Sequence, residues 1–248
     1  MTALLQQLLN ALQLGSVYAL IALGYTMVYG VLSMINFAHG DLFMMGAFAA
    51  FAAATFLGLS FVPTLLFSMA AIALLGVLIE RLAYKPLRQA PKMSAVITAL
   101  GVGIFLENIT LAFNPYPRHL PELMTNTTWN AAVVPMLGIP VNRIISITFA
   151  LGAGLGGAAG TLYAMAYPVI DPYMGVMIGW KAFISAVIGG IGNIRGAMLG
   201  GFLLAAVEIG VTACLPSTYR DFVAFTLLLL LLILRPWGIL GKPSIEKV

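Results

Sequence analysis

Apolar residues run along this chain in blocks long enough to cross a bilayer, and polar residues come as short interruptions between them. A spanning helix needs about 20 mainly apolar residues. Runs of that kind, or close to it, occupy residues 4–31, 42–59, 62–79, 94–113, 144–166, 179–192, 197–215 and 219–234. The pattern predicts an all-α, polytopic helical integral membrane protein with about eight membrane segments, some of them re-entrant or broken. The runs at 179–192 and 219–234 are short, which suits a re-entrant or interfacial course. Proline falls between the runs or at their ends, as at Pro63, Pro91, Pro115, Pro172, Pro216 and Pro236, and supports these boundaries.

The interruption between the first two runs carries the most chemistry. Met34-Ile35-Asn36-Phe37-Ala38-His39-Gly40-Asp41 puts an amide, an imidazole, a glycine and a carboxylate between two stretches without any charge. Each unpaired polar group in hydrocarbon costs several kcal/mol, so such a segment survives only inside protein or beside a water-filled cavity. Gly40 can take a positive φ and end a helix, leaving partial charges pointed at whatever fills the cavity. A broken membrane helix of this kind builds a solute path. A polar turn at the membrane surface is the other reading, since Asn, Asp and Gly are ordinary turn residues.

Composition agrees with the membrane class. Of 248 residues, 61% are hydrophobic and 8% charged, against about 25% charged in soluble domains, and the mean hydropathy is +1.03. The single cysteine, Cys214, excludes an internal disulfide, and two histidines with one cysteine argue against a multi-ligand metal cluster. The net charge of +4 is no nucleic-acid signature, because the basic residues sit in short loops and at the tail. The first run lacks a basic lead and exceeds a signal-peptide core of about 7–15 residues, so it is expected to stay as the first spanning helix.

Arg81, Lys85, Arg88 and Lys92 cluster in one short loop, and Arg235, Lys242 and Lys247 mark the tail, so both regions should be cytoplasmic. Five runs lie between them, an odd number where equal sidedness demands an even one. Either one segment is re-entrant or a span is missing. Residues 114–130 form a polar, proline-rich loop that should be extracytoplasmic, whereas Arg143 favours the cytoplasm. The stretch between is too short to cross, and the region around 126–134 reads as the scar of an internal deletion within a single transmembrane domain, 1–248.

Gly152, Gly156 and Gly160 repeat every four residues, on one helix face where a neighbouring helix can approach closely. A second interrupted stretch, Gly189-Gly190-Ile191-Gly192-Asn193-Ile194-Arg195-Gly196, weakly mirrors the first and points to a path between two repeats. Within the runs lie Glu107, Lys181 and Glu208; the expected partners are Lys181 for Glu208 and His39 for Glu107. These groups either serve a solute path or pair structurally. A phosphate-binding loop, a serine nucleophile elbow, a paired-carboxylate site and a HExxH helix are all missing, so the chain is not expected to be an enzyme.

Several motifs carry a family resemblance. Residues 15–30 (GSVYALIALGYTMVYG), 34–40 (MINFAHG), 80–88 (ERLAYKPLR), 100–108 (LGVGIFLEN), Lys181-Ala182-Phe183 with Gly189-Gly190-Ile191-Gly192, and 235–241 (RPWGILG) closely resemble the LivH-type permease of bacterial branched-chain amino acid ABC importers. The match runs in order along nearly the whole chain. It implies a multi-pass subunit of the bacterial inner membrane, paired with a LivM-like permease, two cytoplasmic ATPases and a periplasmic amino-acid-binding protein. The chain itself then holds no cofactor, with ATP bound by its partners, and its other contacts are membrane lipid and not nucleic acid. Branched-chain amino acids are the implied cargo.

One departure matters. Where the family has a further span and a basic coupling segment, this chain passes from Trp129-Asn130 to Ala131-Ala132. Gly138 and Arg143 are what would remain of the ATPase contact. Asn36, His39, Gly40, Asp41 and Glu107 are expected to line the substrate path, and Gly152, Gly156 and Gly160 to pack helices. The alternatives are an ion-coupled secondary amino acid carrier using Glu107 or Glu208, and an inactive, shortened pseudo-permease.

Overall fold

The computed structural model describes residues 2–32, 34–87, 91–121, 123 and 141–241. Among these are eight α-helices: α1 (Thr2–Leu32), α2 (His39–Phe56), α3 (Phe61–Ile79), α4 (Lys92–Phe113), α5 (Val141–Ala166), α6 (Met174–Gly189), α7 (Ile194–Cys214) and α8 (Tyr219–Leu234). A π turn at Glu80–Tyr84 and a 3-10 turn at Lys85–Leu87 prolong α3. Two short strands, β1 (Arg118–His119) and β2 (Val169–Ile170), pair antiparallel. Five helices are long and apolar enough to cross a membrane: α1, α3, α4, α5 and α7.

The helix bounds follow local chemistry. Pro63 sits in the first turn of α3, where its missing N–H costs nothing. Asn193 caps α7 by accepting the N–H of Gly196 at 3.1 Å. Residues Gly190 and Gly192, at φ 105° and 91°, end α6 and turn the chain within four residues. The segment at 189–196 is therefore a tight turn at one end of the bundle, with Ile239 and Leu240 of the tail donating backbone hydrogen bonds to Ile188 and Gly189.

Two ends of the bundle can be told apart. Ser146 near the start of α5 donates to Glu80 at 3.1 Å, and Tyr84 donates to Asn36 at 2.6 Å. Ile35 shares a small cleft with Tyr29 and Ile191, so the 80–87 turns, the end of α1 and the α6–α7 turn lie together. That end carries Arg81, Lys85 and Arg195, the charge pattern expected of a cytoplasmic end. The β1–β2 pair marks the opposite end, with the close of α4 and of α5. His119 and Ser146 are thus separated by the length of α5, roughly 30 Å at 1.5 Å per residue. Of the helices that follow the basic turns, α4, α5 and α7 are long enough to cross, whereas α6 and α8 have 16 residues each and α8 begins beside Lys181, seven residues into α6. The proposed scar at 126–134 lies outside the described residues.

Small residues bring the helices together. In lipid there is little hydrophobic drive between helices, and close van der Waals packing takes its place. Gly24 of α1 meets Gly152 of α5, and Gly46 of α2 meets Gly157. Ser68 of α3 donates to the carbonyls of Gly46 and Gly157 at 2.9 and 3.1 Å, pinning three helices at one point. One apolar cluster forms around α1, α6 and α7, the other around α2, α3 and α5. Large apolar side chains on α3, α4 and α8, such as Leu74, Phe105 and Ile233, face outward, as a membrane protein allows.

Candidate functional site

The break between α1 and α2 is buried rather than a surface turn. Asn36, His39 and Asp41 are only 2, 1 and 6% exposed. His39 lies against Gly24 of α1, after which α1 continues for eight residues, roughly 12 Å, before ending at Leu32. Helix α2 therefore begins near mid-depth of a hydrocarbon layer about 30 Å thick. Its N-terminal end carries a partial positive charge, and Asp41 occupies the first turn, where a carboxylate is favoured.

Each polar residue of the break has a different setting. The Asn36 side-chain oxygen accepts from the Tyr84 hydroxyl at 2.6 Å and from the Ala38 N–H at 3.1 Å, which holds the turn. The Asn36 carbonyl accepts the His39 N–H, also at 3.1 Å. The His39 imidazole packs edge-on to Tyr25 with ring centres 4.8 Å apart, and its Nε2 has no hydrogen-bond partner. Gly40 does not take a positive φ; it is the second residue of α2. Its missing side chain serves contact instead, because a Cβ there would lie 2.7 Å from the Gly179 Cα of α6.

A cavity of about 140 Å³ opens between the start of α2, α4 and α6. Asp41 and Glu107 line it from α2 and α4. The rest of the wall is apolar, with the aromatic rings of Tyr25, Phe37, Trp180 and Phe183 beside Leu100, Ile104 and the glycines of α4 and α6. Asn36, His39 and Gly40 stand behind this wall. The two carboxylates thus face the same cavity from two helices. Glu107 therefore faces Asp41, not His39 as expected from the sequence. The reason is angular: residues 39 and 41 differ by about 200° around a helix, so His39 turns towards α1 and α5 while Asp41 turns towards α4.

The Gly152, Gly156 and Gly160 face of α5 meets α1 at Gly24 and α2 at His39, Phe43 and Ala47. Gly138 lies outside the described residues. Arg143 falls in the first turn of α5, at the cytoplasmic end, and its side chain is also outside the description.

A second polar group is buried away from the cavity. Glu208 of α7 is fully buried and pairs with Lys181 of α6 at 3.2 Å, as the sequence suggested. Three further partners were missed: Tyr18 of α1 donates to Glu208 at 2.9 Å, Arg220 of α8 pairs with it, and Asp221 pairs with Lys181 at 2.7 Å. The Arg220-Asp221 dipeptide opening an otherwise apolar helix was the available signal. The cavity residues missed include Tyr25, Gly103, Gly175, Gly179, Trp180 and Phe183. Gly175 and Gly179, one turn apart on α6, could have been found by their spacing. Among the described residues no group of three or more side chains could hold a metal ion.

Comparison with known proteins places the chain beside membrane permeases. A sequence profile described as "Branched-chain amino acid transport system / permease component" matches residues 7–119 and 124–233. The chain is 39% identical to the high-affinity branched-chain amino acid transport system permease protein BraD of Pseudomonas aeruginosa, over 98% of each protein. It is 38% identical to the permease protein LivH of the corresponding high-affinity system in Escherichia coli, over 98% of this chain and 97% of that one. A probable branched-chain amino acid transport permease protein LivH of Methanocaldococcus jannaschii is 22% identical over 94% of this chain and 91% of its own length. No solved structure matches.

Proposed function

Since this multi-pass membrane chain belongs to the family of branched-chain amino acid transport system permease components, we propose that it is one of two permease subunits of an ATP-driven importer in the bacterial inner membrane. The cargo is leucine, isoleucine or valine, delivered to the cytoplasm. The carrying observation is the near-full-length match to relatives named for that transport. The family is one of transporters and not of enzymes, so the chain's own part is passage. A LivM-like second permease, two cytoplasmic ATPases and a periplasmic amino-acid-binding protein complete the assembly. ATP is bound by the ATPases, and this chain needs no cofactor.

In this reading the cavity at Asp41 and Glu107 is the chain's share of the path. Asn36, His39 and Gly40 hold the broken helix that forms its floor. Alternating access opens the path to one side at a time, and ATP binding in the partners supplies the differential affinity that shifts the two states. Gly138 and Arg143 stand as the remnant of the ATPase contact; the cytoplasmic position of the start of α5 supports that role.

A second reading has a specific observation behind it. The alignment with the Pseudomonas relative extends over 300 positions while this chain has 248 residues, so at least 52 of them lack a counterpart here. Such a shortening within the single 1–248 domain, near 126–134, could leave a pseudo-permease that assembles without transporting. Reconstitution with the partner subunits separates the readings. ATP-dependent leucine uptake, lowered by Asn36→Ala and His39→Ala, is the expected result. Assembly with no uptake favours the pseudo-permease, and uptake driven by a proton gradient without ATPases would replace both with a secondary carrier.

A further inference from the structure

Asp41 is only 6% exposed, yet its Oδ1 is buried and meets no donor. It is slotted between two backbones that have no side chains. A Cβ on Gly175 would come within 2.9 Å of Oδ1, and one on Gly103 would collide with Oδ2. Glu107 brings a second carboxylate to the same cavity, and no Lys, Arg or His lines it. Lys181, next to Trp180 of the wall, is already committed to Glu208 and Asp221, and Arg220 to Glu208. A buried carboxylate oxygen without a donor is costly, and a cation from outside removes that cost.

We propose that this cavity holds the primary ammonium group of a small apolar amine, at Asp41 and Glu107, with the apolar part against Phe37, Trp180 and Phe183. The proposal rests on the permease reading of the same site and adds the group that is recognised. Two carboxylates are too few for a hard metal ion, which takes six or more oxygens, whereas an ammonium has three donors to share. The aromatic wall is continuous: Phe37 lies 5.9 Å from Trp180 and 6.1 Å from Phe183, and Phe183 lies 6.0 Å from Trp180, between ring centres. Such rings take both a branched aliphatic group and the edge of a cation. At about 140 Å³ the space is below the 300–1,000 Å³ usual for drug-sized ligands, so its occupant is small. The wall has no cationic side chain for a carboxylate. Recognition therefore runs through the ammonium end of an amino acid, not its acid end.

The test uses the full chain in lipid nanodiscs and three probes of similar carbon skeleton: leucine, isopentylamine, which lacks the carboxylate, and isocaproate, which lacks the ammonium. Binding is read by calorimetry and by quenching of tryptophan fluorescence. Leucine and isopentylamine should bind and compete, and isocaproate should not. Glu107→Gln and Asp41→Asn should each weaken isopentylamine about ten- to a hundredfold, the range of one lost charge-assisted hydrogen bond. Isocaproate binding as well as the amine, no amine binding to the wild type, or unchanged affinity in Glu107→Gln would overturn the proposal. The wild-type series and Glu107→Gln decide the matter even where Asp41→Asn fails to fold. ATP-driven leucine uptake by the assembled importer without amine binding here would sink the ammonium site and spare the permease reading. Amine binding without uptake would do the reverse.

Discussion

Replacing Glu208 by alanine should be among the most damaging single changes in the bundle, and the structure says by how much. Glu208 is fully buried and is shared by Lys181, Arg220 and the Tyr18 hydroxyl. Its loss leaves the Lys181 ammonium, 8% exposed, with Asp221 as its remaining ion-pair partner, and leaves Arg220, 28% exposed, without its carboxylate. Breaking a buried ion pair from one side costs about 3–5 kcal/mol. Because Lys181 keeps Asp221, the lower part of that range is expected, roughly 3–4 kcal/mol, or two to three decades in the folded-to-unfolded ratio at about 1.4 kcal/mol per decade. The assay is reversible unfolding in mixed micelles, followed by circular dichroism. Asp221→Asn is the internal control: its carboxylate is 46% exposed, and pairs that reach solvent are worth about 0–1 kcal/mol. The double variant Lys181→Met/Glu208→Leu should recover most of the loss, because an apolar replacement of the whole pair is often nearly neutral. If Glu208→Ala loses less than about 1 kcal/mol, no more than Asp221→Asn, the network is not a structural tie and the reasoning fails.

Other expectations follow from single contacts. Gly40→Ala should force α2 from α6, since the new Cβ would sit 2.7 Å from the Gly179 Cα; a loss of about 1–3 kcal/mol in the same unfolding assay is expected for such overpacking, and a loss near zero would mean that the helices yield. Tyr84→Phe removes the donor to Asn36, whose oxygen keeps the Ala38 N–H; about 0.5–1.5 kcal/mol should be lost, and a larger loss would mean that the hydroxyl alone holds the break. In a Cys214→Ser background, Lys85→Cys and Arg118→Cys should react with a membrane-impermeant maleimide from opposite faces of the membrane. Labelling of both from one face would overturn the orientation argued from the basic turns at 80–87 and the β1–β2 pair.

Much of the helical plan was legible along the chain. The last run was read as residues 219–234, and α8 is Tyr219–Leu234; the run at 144–166 ends with α5 at Ala166. The sixth run was placed late, because Met174 opens α6 directly after the Asp171-Pro172 turn, and Gly190 closes it by its positive φ. The polar interruption at 34–41 and the Lys181–Glu208 pair were also readable, each from a polar group that apolar surroundings do not tolerate. What could not be read was direction. His39 and Asp41 are two residues apart, yet one enters the α1–α5 packing and the other the cavity. Tyr18 and Glu208 are separated by 190 positions, and no local signal joins them.

Runs of apolar residues, prolines and glycines act within a turn or two of chain, and so the amino-acid order alone dictated an oily helical bundle with one polar gap near its start. Which helix faces which, and therefore which carboxylate meets a cation and which is left looking into a cavity, was decided only by tertiary packing. That choice depends on the rotation of each helix and on where missing side chains, at Gly24, Gly40, Gly103 and Gly175, let backbones approach. Rotation and approach are set jointly by neighbours far apart in the chain, through contacts that no single segment contains.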